Sequence, residues 1–279
     1  MELSWLQSLF LGLISGIAEV FPVSAQAHRL VLLKMFGIES EHAVLRFLIH
    51  ISTAFALYFC SRAHIIRMMR AYRTSKIPKK RRKRPLDTEG LNDFNLLRTS
   101  LIPTLLAFMI YSRSAVLAEK SLIVAALLVI NGVILYVPQY LPGCNKESGD
   151  MSRIDGLIIG LGAALGTLPG ISSLGSAVSV AGVRGMDLKK ALNLAVLMSI
   201  PVNLGMAAFD LIDLLSGGAG SLSFGALGAG VLAGVAAFAG VIIALRLIRR
   251  IVENVGYSVF GFYSWGAALL TFIFFLAAV

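Results

Sequence analysis

Two stretches of this sequence place groups capable of catalysis or anion binding inside runs that are otherwise apolar. The first stretch carries Glu19, Ser24 and His28. A carboxylate can hold a cation or activate a nucleophile, and a histidine can transfer protons near neutral pH. A serine at this place can act on a substrate or cap a helix. Ionisable residues at membrane depth are usually functional, so we predict that Glu19 and His28 are catalytic.

The second stretch, TLPGISSLGS, interrupts an apolar run at residues 167–176. Pro169 and Gly170 should end one helical segment and start another. The start of a helix exposes backbone N–H groups that bind anions. Ser172 lies at that start, and it is interpreted either as a substrate contact or as a helix cap.

The composition predicts an all-α integral membrane protein. Hydrophobic residues make up 57% of the 279 residues, charged residues 14%, and the mean hydropathy is +0.82. An average soluble domain is about half apolar and a quarter charged. Helices satisfy their own backbone hydrogen bonds in lipid, and the length allows about six to eight spans of roughly 20 residues. We therefore expect a single polytopic membrane domain over residues 1–279.

Eight apolar runs of helix length follow one another along the chain, and the first and fifth are the interrupted ones. The runs cover residues 3–21, 44–60, 96–111, 121–141, 154–182, 191–215, 224–247 and 257–279. If each interrupted run forms a re-entrant helical hairpin, entering and leaving on one side, about six transmembrane helices remain. Irregular backbone at membrane depth is tolerated where it lines a cavity.

The positive charge predicts the orientation of these helices. The net charge is +10, and residues 62–84 hold eleven Lys or Arg and no acid. No aromatic-interleaved binding module accompanies this segment, so nucleic acid is not an expected partner. The positive-inside rule instead makes the loop at residues 62–95 cytoplasmic. The two hairpins then enter from opposite faces, and their turns can meet near the midplane.

An internal echo predicts an inverted repeat. A GxxxG pattern precedes a proline and a serine in both interrupted runs, at Gly12, Gly16, Pro22 and Ser24 and again at Gly162, Gly166, Pro169 and Ser172. The first repeat would cover residues 1–115 and the second residues 150–279. Substrate sites of such proteins lie at the repeat interface. We expect both turns to line one cavity, with Glu19 within about 15 Å of Ser172, since helix starts act on an anion at contact range.

The interrupted runs also resemble the signatures of a known family. GLISGIAEVFPVSAQAH at residues 12–28 resembles the first signature of the undecaprenyl-diphosphate phosphatases, the bacitracin-resistance family, and LPGISSLGSA at residues 168–177 resembles the second. Further similar segments, in the family's order, are LIHISTAFALYF, VINGVILY, IDGLIIGLG, SIPVNLG and VFGFY. The resemblance implies two opposed hairpins, six spans and dephosphorylation of the C55 polyprenyl diphosphate carrier of cell-wall synthesis.

The resemblance also implies roles for individual residues. It assigns catalysis to Glu19, Ser24 and His28. It also implies a bacterial plasma membrane protein that is often a homodimer. A divalent metal, Mg²⁺ or Ca²⁺, held by Glu19 is a further expectation. Phosphate binding is assigned to Pro169, Gly170, Ser172 and Ser173.

The chain departs from the family where the diphosphate should be clamped. Ser173 stands where the second signature has an arginine, Ala177 stands where it has a threonine, and Ser15 replaces a second acidic or amide residue. An arginine on a transferring phosphoryl group is worth roughly 10³ to 10⁵ in rate. Either Arg29, directly after His28, or Arg184 could replace it.

Two functions follow from these observations. The first is a polyprenyl-diphosphate phosphatase with Arg29 or Arg184 as the substitute cation. The alternative is a weak or inactive relative that binds or translocates polyprenyl phosphate. Retention of Glu19 and His28 favours the enzyme, whereas loss of the arginine favours the alternative.

The charge pattern gives a testable topology. In a background without Cys60 and Cys144, a cysteine placed at Lys80 should react with an impermeant thiol reagent only from the cytoplasm. A cysteine at Gly218 should react only from outside, because that loop carries no charge. The reverse labelling would contradict the assignment.

Overall fold

The computed structural model describes residues 3–38, 41–109, 117–118, 120–140, 145–216 and 224–277. The predicted outer loop near Gly218 and the far ends of three apolar runs, at residues 111, 141 and 279, lie outside these ranges. Helices dominate the described residues, which contain no strand. In chain order they are α1 Trp5–Val20, α2 Ala25–Met35, α3 Ala43–Ser75, α4 Thr88–Leu106, α5 Ser121–Tyr136, α6 Arg153–Ala164, α7 Ser173–Val183, α8 Leu188–Leu215, α9 Phe224–Asn254 and α10 Val259–Ala277.

Both interrupted runs form two short helices joined by a turn, as the sequence predicts. α1 has 16 residues and α6 has 12. At 1.5 Å per residue they extend about 24 Å and 18 Å, less than the ~30 Å of a bilayer's hydrocarbon core. Capping boxes fix their first turns, with Ser4 and Gln7 on α1 and Ser152 and Asp155 on α6. Pro22 and Pro169 then follow closely after the two helices end.

Four helical segments within the described ranges are long and apolar enough to cross a membrane. They are Ala43–Ser75, Ser121–Tyr140, Leu188–Leu215 and Phe224–Asn254. These four agree with four of the six predicted spans, and the protein is a multi-pass helical membrane protein. The other two predicted spans correspond to α4 and α10. α4 begins in the polar segment TEGLND and its apolar run continues past the described residues, whereas the apolar part of α10 is shorter.

Glycines allow α1 to pack directly on the backbone of α9. A Cβ added at Gly12 would overlap the carbonyl oxygen of Ala233, and one added at Gly16 would overlap that of Ala237. The contact advances by four residues on each helix, from Gly12 to Gly16 and from Ala233 to Ala237, so α1 and α9 run parallel. Small residues let membrane helices approach this closely. Close packing then stabilises their association, because helices in lipid have no hydrophobic driving force to associate.

The same parallel packing occurs between α6 and α4. A Cβ at Gly160 would overlap the carbonyl oxygen of Ser100, and one at Gly156 would meet the side chain of Thr99. Gly162 and Gly166, the glycines of the predicted echo, face Val180 and Ser173 of α7 instead. The inverted repeat stays a prediction.

Charged residues form one cluster where α3 ends and α8 begins. Arg67 donates to Asp87 at 2.7 Å and to Glu89 at 2.6 Å, and Lys190 donates to Glu89 at 2.9 Å. The hydrogen bonds from the Arg67 guanidinium lower the pKa of both Asp87 and Glu89, so these carboxylates stay ionised. The cluster holds together the helix ends that border the basic segment at residues 62–84.

The opposite ends of α3 and α8 carry a second charged cluster. Arg46 donates to Asp210 at 2.9 Å and to Asp213 at 2.5 Å. Asp210 and Asp213 lie near the end of α8. The two clusters thus lie at opposite ends of the same pair of helices.

The glycine contact between α1 and α9 gives a stability prediction. Gly16→Ala should lower the thermal unfolding midpoint in detergent, because the added methyl must displace backbone; overpacking costs about 1–3 kcal/mol. Gly266→Ala is the matched control, since a Cβ there meets nothing within 4 Å. An unchanged midpoint for Gly16→Ala would contradict the packing described here.

Candidate functional site

The two turns that interrupt the helical runs are hydrogen-bonded to each other. We call residues 21–24 the first turn and residues 165–172 the second turn. The backbone N–H of Gly170 donates to Oγ of Ser24 at 3.2 Å. Asn131 on α5 joins them a second time, because its Nδ2 donates to the carbonyl of Pro22 at 3.0 Å and its Oδ1 accepts the N–H of Ser172 at 2.9 Å. Residues far apart in sequence are thereby fixed in one place.

Both turn serines cap the helices that follow them. Oγ of Ser24 accepts the N–H of Ala27 at 3.4 Å, and Oγ of Ser172 accepts that of Gly175 at 3.0 Å. Ser24 has a φ of 67°, the one positive φ among the described non-glycine residues. Such a conformation costs on the order of 1–3 kcal/mol and is concentrated at functional sites. The capping interpretation is confirmed, and it aims the starts of α2 and α7 at the space between the turns.

A narrow cavity of about 40 Å³ lies between the two turns. Its lining confirms the expectation that one cavity is shared, because Glu19 and Ser172 both border it. A free volume of this size holds about three water molecules. The polar and charged side chains that line it are those of Glu19, Ser24, Gln26, Arg29, His50, Ser172 and Ser173.

The cavity contains one cationic side chain, Arg29. The residue is only 4% exposed, and its Nε lies 3.4 Å from a carboxylate oxygen of Glu41. Neither of these two atoms has a hydrogen-bond partner, so the contact is electrostatic without a formed hydrogen bond. Arg184, the other predicted substitute, instead pairs with Asp155 at 2.5 Å at the opposite end of α6 and α7. The structure therefore places Arg29, and not Arg184, at the cavity.

Glu19 faces the same cavity from the last turn of α1. Its Oε1 accepts a hydrogen bond from Nδ2 of Asn203 at 2.7 Å, which orients the carboxylate. Asn203 is itself buried on α8 and donates to the Ser199 carbonyl. Asn203 lies in the family-like segment SIPVNLG, but the sequence could not pair it with Glu19, because the two residues lie on helices far apart in the chain.

His28 lies outside the cavity lining. Its Nδ1 donates to the carbonyl of Ser24 at 2.9 Å, and its Nε2 lies 2.9 Å from the hydroxyl of Tyr263 on α10. These contacts join the first turn to α10. A catalytic role for His28 stays a prediction.

The remaining predicted residues are divided between the cavity and its support. Ser173 borders the cavity, but its Oγ donates to the carbonyl of Ala163 at 2.8 Å and so closes the second turn. Gly170 contributes its N–H to Ser24 and adopts a φ of 121°, which favours glycine. Pro169 belongs to the second turn and does not line the cavity. His50, a buried residue of α3, also belongs to the lining.

The lining residues fit a divalent cation poorly. Among the lining residues that the structure describes, Glu19 is the single carboxylate, and Arg29 shares the same small space. Among the residues for which the structure gives positions, no group of three or more His, Cys, Asp or Glu could hold a metal ion. Mg²⁺ and Ca²⁺ need several oxygen ligands, so we assign no step to a protein-held metal.

Fold and site together define a polytopic helical membrane protein whose polar cavity is built from the starts of two interrupted helices. Residues 8–270 match the family described as Bacitracin resistance protein BacA. Because the match covers nearly the whole chain, the protein belongs to this family.

Curated relatives agree with the family match. The chain is 25% identical over 277 residues to a protein of Alkaliphilus metalliredigens named undecaprenyl-diphosphatase, with 96% of this chain and 98% of that protein covered. A protein of the same name from Methanobrevibacter smithii is 28% identical, with 96% of each chain covered. A third, from Nocardioides sp., is 30% identical over 214 residues, covering 76% of this chain and 77% of that protein.

The bridge made by Asn131 gives a second stability prediction. Asn131→Ala should leave the Ser172 N–H and the Pro22 carbonyl without their partner, and each buried unsatisfied group costs about 1–3 kcal/mol. The thermal unfolding midpoint in detergent should fall clearly. Asn254→Ala, which removes an exposed amide bonded to its own helix, should leave the midpoint nearly unchanged. Equal effects of the two variants would contradict the bridging role.

Proposed function

We propose that this protein hydrolyses polyprenyl diphosphate, with undecaprenyl diphosphate as the substrate, and so recycles the lipid carrier of cell-wall synthesis. The observation that supports the proposal most directly is the cavity in which two helix starts, a buried arginine and a carboxylate converge. Phosphoryl transfer depends mainly on positioning and on stabilising the charge of the transferring group. The identity of the substrate is inferred from the relatives named undecaprenyl-diphosphatase.

Arg29 is proposed to replace the arginine of the second signature. Its guanidinium is buried, and the residue lines the cavity at which α2 and α7 begin. A diphosphate that enters would compete with Glu41 for this cation, and the contact between Arg29 and Glu41 has no formed hydrogen bond to give up. Two parallel N–H donors suit a phosphate geometrically, which a lysine ammonium does not.

The helix starts are proposed to bind the remaining phosphate oxygens. The first N–H groups of α2 and α7 have no partner inside their helices, and both helices begin at the cavity. Ser24 would touch the transferring phosphoryl group. Its Oγ is oriented by the N–H groups of Ala27 and Gly170, so the hydroxyl proton is left for the substrate.

Glu19 is proposed to orient the attacking water or to help hold a metal that the substrate brings. Assaying phosphate release with and without EDTA tests the predicted divalent cation. His28 is proposed to act on the site through the carbonyl of Ser24, with which it shares a hydrogen bond.

The proposed architecture has two re-entrant hairpins in an inverted repeat. The ion pair between Asp155 and Arg184 joins the beginning of α6 to the end of α7, which supports entry and exit on one side. The parallel glycine contacts of α1 with α9 and of α6 with α4 support a two-fold relation between the halves. We also propose a plasma membrane location with residues 62–95 in the cytoplasm, and a homodimer.

The substitution that tests this function is Arg29→Ala. It should remove most phosphate release from undecaprenyl diphosphate, because a transition-state arginine is worth roughly 10³ to 10⁵ in rate. Arg29→Lys should recover little of it. Ser173→Arg in the Arg29→Ala background should restore part of the activity, because it returns a guanidinium to the cavity. Arg70→Ala, on an exposed part of α3, is the control.

Two outcomes would contradict this proposal in different ways. If Arg29→Ala keeps full activity and Ser173→Arg alone raises it strongly, Arg29 is not the clamp and the wild-type enzyme is a weakened one. If neither wild type nor Ser173→Arg releases phosphate, but polyprenyl phosphate binds in a manner that Glu19→Gln abolishes, the protein binds or translocates the lipid instead.

A further inference from the structure

His50 and Asp210 form a buried pair at the cavity. Nδ1 of His50 lies 2.6 Å from Oδ2 of Asp210, and their side chains are only 3% and 4% exposed. A carboxylate can only accept a hydrogen bond, so Nδ1 carries the proton. In the neutral ring Nε2 then holds a lone pair, and it is the nitrogen left for a group inside the cavity.

A second arginine fixes the carboxylate of this pair. Oδ1 of Asp210 accepts from Nε of Arg46 at 2.9 Å, while Arg46 also donates to the carbonyl of Glu41 at 2.8 Å. Asp210 is thus held on both oxygens, and its charge is balanced in a site from which water is largely excluded. The pair does not depend on the substrate for its geometry.

The network connects the two functional groups of the cavity. Glu41 faces Arg29 through its side chain and Arg46 through its backbone, and Arg46 in turn holds Asp210. The proposed phosphate clamp and His50 are therefore positioned by one short segment between α2 and α3. Glu19 approaches from α1 on the same cavity.

We propose that His50 is the general base of this site and that Asp210 is its positioning residue. The inference rests on the proposed phosphatase function. Nε2 accepts a proton from the attacking water, and the water oxygen forms a bond to the terminal phosphorus. The bond from that phosphorus to the bridging oxygen breaks, and its electron pair leaves with polyprenyl phosphate. Asp210 stabilises the imidazolium, which then returns the proton to solvent as phosphate leaves.

The same helix carries a second histidine and aspartate pair that serves as a comparison. Nε2 of His64 lies 2.9 Å from Asp93 on α4, at the other end of α3 and away from the cavity. Their side chains are 31% and 16% exposed. If a histidine paired with an aspartate only ties helices together, both pairs should respond alike to substitution. If His50 is a general base, substitutions in its pair should lower activity far more than substitutions in the His64 pair.

The test measures phosphate release from undecaprenyl diphosphate by the purified full-length protein in detergent. His50→Gln should lower kcat by about 10² to 10⁴ while KM changes little, because a general base acts on the chemical step. Asp210→Asn should lower kcat at least about tenfold with KM unchanged, because the ring loses its fixed tautomer. His64→Gln and Asp93→Asn should stay within about twofold of wild type.

Chemical rescue separates a missing base from damaged folding. His50→Ala should regain part of its kcat when imidazole is added, whereas Asp210→Asn should not, since its own imidazole is still present. If His50→Gln and His50→Ala keep wild-type kcat, or if they lose activity without rescue and with a lowered thermal midpoint, the inference is overturned and the phosphatase function stands. If wild type releases no phosphate, both are overturned.

Discussion

The structure depends on satisfying the backbone that two broken helices expose at membrane depth. Each unpaired N–H or C=O in hydrocarbon costs several kcal/mol, so a helix break needs partners from elsewhere in the chain. Here the partners are mutual. Oγ of Ser24 accepts a hydrogen bond from the Gly170 N–H. Asn131 donates to the carbonyl of Pro22, which precedes α2, and accepts from the N–H of Ser172 at the start of α7. Neither turn is complete alone, so the site forms only when both halves have assembled.

The buried charges also depend on partners from other parts of the chain. Arg29 and Asp210 are buried, and an isolated charge in such surroundings would be very unfavourable. Each is offset by a partner from another element, Glu41 for Arg29 and Arg46 for Asp210. Hydrophobic replacements would stabilise the fold as well or better. Arg29 lines the cavity between the turns, and Asp210 pairs with His50, which also lines it; this placement fits a chemical use for both ions.

The sequence was sufficient for the features that are local. Pro22 and Pro169 mark the helix breaks. The turn serines could be identified as caps because capping depends on near neighbours. The relation between His50 and Asp210 could not be predicted, since it depends on which faces of α3 and α8 meet. For the same reason the sequence does not reveal that Gly156 and Gly160 pack on α4 while Gly162 and Gly166 face α7. The positive φ of Ser24 could not be predicted either, because the residue type gives no indication of it.

The contact of Gly12 with Ala233 has a consequence for biogenesis. α1 leaves the ribosome first, yet the helix that covers its glycine face is made near the end of translation. At about 5–20 residues per second, α1 waits roughly ten to forty seconds for α9. During that interval a short helix with a bare glycine face must stay at the insertion machinery or be held by lipid. α6 has no such delay, because α4 precedes it in the chain. The two glycine contacts, similar in their final packing, therefore make very different demands on the translocon.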